Sequence, residues 1–158
     1  MLPLCMGEHP RYIVGYEGSL EDLAEEIATD DVRVASFIGS LAQDIERQAS
    51  DDMGRERYKL ASGLEKTARA LSAAERAMNC EPARIVIEGY AVDDLAQRAG
   101  NMSYDVLQTL VERIADGIEQ RTTTRVEDNP RLYRTISRLR KAGAELGKVW
   151  DICEPYMP

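Results

Sequence analysis

Apolar residues along this chain recur at steps of three and four, and they do so in two parallel series. Leu20, Leu23, Ala24 and Ile27 make one face of a short helix, opened by Ser19 and Asp22 at the spacing of a capping box with Asp in place of the usual Glu. Asp30 or Asp31 can cap a second helix with Val34, Ile38, Leu41 and Ile45 on its inner face, reaching Gln48. A third begins near Asp52 and carries Leu60, Leu64, Thr67, Leu71, Ala74 and Met78, whose steps of 4, 3, 4, 3, 4 are the heptad seam of a long helix. In the second series, Val92, Leu95, Ala96 and Ala99 form a short helix ending at Gly100, a residue suited to a C-cap. Ser103 caps a helix with Leu107, Leu110, Val111, Ile114 and Ile118 inward. Asn129-Pro130 opens the last helix, whose seam is Leu132, Ile136, Leu139, Gly143, Leu146, Trp150 and Cys153.

The two series look like copies. HPRYIVGYEGSLEDLAEEIA and EPARIVIEGYAVDDLAQRAG align at a shift of 72, pairing Pro10 with Pro82, Ile13 with Ile85, Asp22 with Asp94 and Leu23 with Leu95. SFIGSLAQDIERQ and TLVERIADGIEQR align at a shift of 73, and both copies end in Cys-Glu-Pro. The seam residues Leu132 to Trp150 each lie 72 beyond one of the first half, so Gly143 stands opposite Leu71 and suggests a close helix–helix approach there. A fixed long period is the mark of repeated structural units. Two copies are too few for a solenoid. They predict an all-α bundle of six helices, in two pseudo-repeated units at 10–81 and 82–154 after a tail at 1–9. The units would pack as one compact domain about a pseudo-twofold axis, chiefly through the long third helices. The β-branched pieces IVGYEG and IVIEGY leave room for a minor extended pair between the halves, where Tyr12, Tyr16 and Tyr90 would line a groove.

Composition makes this a folded, acidic chain: 44% hydrophobic residues, 30% charged, and a net charge of −8. Nothing at the start has the form of a signal peptide, and no run approaches the roughly 20 apolar residues of a membrane span. Cys5, Cys80 and Cys153 have no CxxC spacing, which suggests neither a disulfide framework nor a zinc site and makes Cys80 and Cys153 small apolar residues at helix ends. A cytoplasmic location follows as the expectation.

Charge is unevenly shared. Residues 10–81 hold 9 Lys/Arg against 15 Asp/Glu, whereas 82–154 hold 11 against 12. The acids Glu21, Asp22, Glu25, Glu26, Asp30 and Asp31 form one candidate partner-binding face, of a kind that an inhibitor imitating nucleic acid would use. Arg131, Arg134, Arg138 and Lys141, at steps of 3, 4 and 3, form a basic stripe on the last helix, away from its seam. The stretch VDDLAQRAGNMSYDVLQTLVERI resembles a helix-turn-helix. That resemblance implies a duplex-DNA interface with Arg98, Tyr104, Gln108 and Arg113 outward, and a glycine at positive φ in the turn. Its turn is one residue longer than usual, and Asp105 would repel phosphate.

Catalytic groups are not recognisable. His9 is the only histidine, so histidine triads and HExxH sites are excluded. Glu21 and Glu25 are one turn apart, as in the paired acids of all-α nucleotide pyrophosphohydrolases, but no ExxD follows on the next helix. The expectation is a non-enzymatic protein-interaction protein with no cofactor or metal. A protein partner comes first, nucleic acid second, no membrane, and a homodimer is compatible with the architecture.

Overall fold

The computed structural model describes residues 16–81, 83–122 and 129–153, and within these the chain is a bundle of six α-helices with one small hairpin. The tail at 1–9, Tyr12 and the start of the first extended piece lie outside the described residues. Helix α1 (Leu20–Ala28) begins at the expected capping box, where Asp22 N–H donates to Ser19 Oγ at 3.1 Å and Ser19 N–H donates to Asp22 Oδ2 at 3.0 Å. Asp30 caps α2 (Asp31–Gly54), accepting from Val32 N–H at 2.8 Å. This helix runs past the expected Gln48, because Gln48, Ala49 and Asp52 continue its buried face. The break falls instead at Gly54–Arg57, where Glu56 takes a φ of 62°. Helix α3 (Tyr58–Met78) ends on Asn79 in the left-handed region. Strands β1 (Val86–Ile87) and β2 (Tyr90–Ala91) pair with each other across Glu88-Gly89, both at positive φ, so the extended element is a local hairpin and not a pair between the halves. Helices α4 (Val92–Gly100), α5 (Tyr104–Arg121) and α6 (Pro130–Cys153) complete the chain, with Pro130 in the first turn of α6 as its fixed φ favours.

Two antiparallel hairpins, α2–α3 and α5–α6, meet along α3 and α6. Leu64, Thr67, Leu71, Ala74 and Met78 on α3 and Leu132, Ile136, Leu139 and Leu146 on α6 are buried, and Trp150 is half-buried against the same core. The closest approach of these two helices is at Gly63, where a Cβ would stand 2.7 Å from Val149 Cγ2. Gly143 serves a different contact. A Cβ there would meet Glu112 of α5 at 2.9 Å, so the expected apposition with Leu71 is replaced by one between α5 and α6.

The short helices are exchanged. Helix α1 lies mainly on α5, and α4 lies on α2. The starts of α1 and α4 are 72 residues apart, those of α2 and α5 are 73 apart, and those of α3 and α6 are 72 apart. Side chains at matching offsets fasten each exchanged helix. Arg121 of α5 donates to Ala28 O at the end of α1 and to the Asp31 carboxylate at the start of α2. Gln48 of α2, 73 residues before Arg121, donates to Gly100 O at the end of α4 at 2.6 Å and accepts from Tyr104 Oη at the start of α5 at 2.8 Å. The same job is done once by an ion pair and once by a buried neutral network.

That network decides two residues whose roles differ from expectation. Gly100 lies within α4 without a positive φ; a Cβ there would stand 2.0 Å from Asp44 Oδ2, so it is small to admit the carboxylate. Tyr104, expected outward, is 2% exposed. Burial, then the nearby Asp52 and Asp44 carboxylates, push its hydroxyl well above the ordinary value. Cys80 is free, while Cys153 is engaged in a disulfide, which corrects its reading as only a small apolar residue. No helix among the described residues is long and apolar enough to cross a membrane.

Candidate functional site

Most of the acidic face has structural work. Asp22 closes the α1 capping box, Asp30 caps α2, and Glu26 pairs with Arg33 at 3.0 Å. Asp31 lies between Arg121 and Arg131. Partial burial acts to raise its pKa, but the hydrogen bond and charge of Arg121, then those of Arg131, hold it below the ordinary value. Glu21 is half-buried and engaged, which leaves Glu25 as the exposed member of the set. The arrangement is a string of caps and pairs, not a free row of carboxylates.

The residues of the helix-turn-helix resemblance are dispersed in role as well. Tyr104 is buried, as above. Gln108 donates to Glu112 at 3.2 Å and lies against Gly147 of α6. Arg98 pairs with Asp94 at 2.8 Å, and Arg113 is exposed. Because α4 packs on α2, residues 92–113 lack the mutual crossing of two helices that such a motif needs.

The basic stripe, in contrast, is brought to one place. Antiparallel packing sets the C-terminal end of α3 beside the N-terminal end of α6, where Arg131 Nη1 donates to Met78 O at 2.8 Å. An open groove of about 460 Å³ follows this junction, lined by Ala73, Arg76, Ala77 and Asn79 from one helix and Arg131, Arg134 and Arg138 from the other. Arg131 is committed to Asp31 at 3.0 Å. Arg76, Arg134 and Arg138 are exposed and have no ion-pair partner among the described residues. Lys141 is exposed one turn further along α6 and does not line the groove. Arg140 points elsewhere, bridging Asp116 and Glu119 of α5, both at 3.2 Å.

Two features make this groove electrostatically unusual. The first turn of α6 holds no acid to complement the positive end of the helix and carries Arg131 there instead. The small residues Ala73 and Ala77 then leave room over the α3 side of the junction. Cations placed at a cationic helix end, without counter-charges, oppose folding slightly; such local conflicts concentrate where a ligand resolves them. A second groove, lined by Glu46, Met53, Glu65, Arg69 and Arg76 among others, runs between α2 and α3, but it mixes both signs of charge.

Arg76 is the member that the sequence expectation omitted. It stands two residues beyond the seam residue Ala74, as Arg134 stands two beyond Leu132 and Arg138 two beyond Ile136. That shared offset was the available signal, usable only once α3 and α6 are known to run antiparallel. No protein-family model, curated protein or solved structure matches this chain, so its function must be argued from this groove.

Proposed function

We propose that this chain is a non-enzymatic interaction protein that receives an acidic protein partner in the arginine groove between α3 and α6. The observation that carries the reading is the convergence of Arg76, Arg134 and Arg138, without counter-charges among the described residues, on one groove of a chain whose net charge is −8. Guanidinium groups suit carboxylates because their planar forks match carboxylate geometry. The overall negative charge works against long-range attraction of a nucleic acid, whose binding is dominated by its phosphates. An acidic protein segment meets the same global repulsion with far lower charge density.

The same proposal includes an internal duplication, with units at 10–81 and 82–154. It is supported by the matched offsets of the six helix starts and by the equivalent fastening roles of Gln48 and Arg121. On this reading the first unit supplies Arg76 and the second supplies the α6 arginines, so the groove exists only in the joined chain.

The test is fluorescence anisotropy with a labelled oligo-aspartate peptide and a labelled DNA duplex of equal charge, at low and near-physiological salt. The peptide is expected to bind the wild-type chain, and to be released by Arg134→Glu/Arg138→Glu while the melting temperature stays within about 2 °C, as for exposed surface changes. Equal binding of the peptide by both proteins would remove the groove from consideration. Tighter binding of the DNA would move the reading to nucleic acid.

A further inference from the structure

The two ends of the α3–α6 pair differ in a way that packing does not require. Gly63 against Val149 and Met78 against Arg131 define its two ends as crossings of the same antiparallel helices. Residues 72 positions away from Arg131, Arg134 and Arg138 are Lys59, Ser62 and Lys66, and those 72 beyond Ala73, Arg76 and Asn79 are Glu145, Lys148 and Asp151. At that end the cation Lys148 pairs with Glu145 at 3.4 Å. One junction therefore has lysine, serine and its own acids. The other has four arginines, only one of which is neutralised by a described carboxylate.

The choice of arginine narrows the ligand. A lysine satisfies a single carboxylate as a point charge, whereas several guanidinium forks can be saturated together only by a group with more acceptor oxygens. A carboxylate offers two oxygens and one negative charge. A phosphate monoester offers three terminal oxygens and a charge of about −1.5 to −2, which approaches the three unneutralised arginines. The positive end of α6, lacking an acid in its first turn, adds to the attraction for the more highly charged group.

We infer that the groove between α3 and α6 is a phosphate-binding site, and that the acidic partner docks there through a phosphorylated side chain held by Arg76, Arg134 and Arg138 with Arg131 at its inner edge. The inference rests on the acidic-partner reading and adds to it the group recognised. Arg131 is the fixed member, anchored through Asp31 and Met78 O; the other three are free to close on the ligand.

The experiment compares N-acetyl-phosphoserine amide with N-acetyl-glutamate amide, each titrated at constant ionic strength into the full chain while arginine Nε–Hε signals are followed by NMR. The expected result is a saturable shift at Arg76, Arg134 and Arg138, with the phosphoserine compound reaching its midpoint at about a tenfold lower concentration than the glutamate compound. Arg138→Gln and Arg134→Gln are each expected to weaken phosphoserine binding by about tenfold and to leave the glutamate midpoint within about threefold. Equal midpoints for the two compounds would overturn the phosphate inference while leaving the acidic-partner reading in place. Absence of a saturable shift from both would overturn it too. The acidic-partner reading would then stand or fall separately on the oligo-aspartate titration.

Discussion

Replacing Tyr104 by phenylalanine removes one oxygen from the place where the first half of the chain holds the second. The ring is retained, so no cavity larger than the hydroxyl opens. Tyr104 Oη donates to Gln48 Oε1 at 2.8 Å, while Gln48 Nε2 is already committed to Gly100 O and to Asp44 Oδ2. Gln48 cannot rotate to satisfy its oxygen without losing both of those bonds. The variant therefore strands a buried acceptor, at a cost of about 1–3 kcal/mol. For a chain of this size each kcal/mol lowers the melting temperature by about 2–4 °C, so a fall of about 4–8 °C is expected for a mid-range cost. Urea unfolding should show a lower midpoint with an unchanged slope. Tyr133, 57% exposed on α6, is the control: Tyr133→Phe should change stability by less than about 0.5 kcal/mol.

Alkaline pH gives the same pair a second readout. The folded Tyr104 keeps its proton above the ordinary value of 10.0, so the folded state binds more protons than the unfolded state there. Its contribution is present below that pH and is lost as pH rises, so the gap between wild type and Tyr104→Phe should narrow above about pH 10. A loss below about 0.5 kcal/mol at neutral pH, or a gap constant through the alkaline range, would refute the buried network as the fastening of α4 and α5.

Two further outcomes are expected. Gly63→Ala should destabilise by about 1–2 kcal/mol despite the better helix propensity of alanine, because its Cβ would meet Val149 Cγ2 at 2.7 Å; the same change in a Val149→Ala background should be neutral or stabilising in thermal melts. Asp31→Asn should destabilise at neutral pH. The folded pKa of Asp31 lies below its ordinary 3.8, so its stabilisation exists above that value and is lost as pH falls through the folded value; acid melts of the two proteins should converge.

Periodicity told which face of each helix is buried but not which helix covers it. The seams of α3 and α6, the capping box at Ser19 and the proline at the start of α6 are local features, readable over a few residues. Tyr104 was misplaced because its burial depends on Gln48, 56 residues earlier, and no local pattern reports that. The end of α2 was misplaced for a related reason: Gln48 and Asp52 look like a polar stop, yet their side chains are buried. The candidate groove was partly legible. Arg131, Arg134 and Arg138 share one face of a single helix, whereas Arg76 joins them only through antiparallel packing. The acids were legible as acids, and their commitment to caps was visible at Asp22 and Asp30; the pairing of Asp31 with Arg121 and Arg131 was not.

The exchange of the short helices has a consequence during synthesis. Chains emerge from the ribosome N-terminus first, and helix α1 is made 76 residues before α5, its principal cover, begins at Tyr104. Leu20, Leu23 and Ile27 must wait that long for their burial, and the α2–α3 hairpin waits equally for α4. The nascent first half is thus an amphipathic hairpin with two uncovered strips, a substrate for chaperones rather than a finished unit. Folding reaches completion only when the last helix is released, so a stalled or truncated translation product would leave apolar surface open along its whole length.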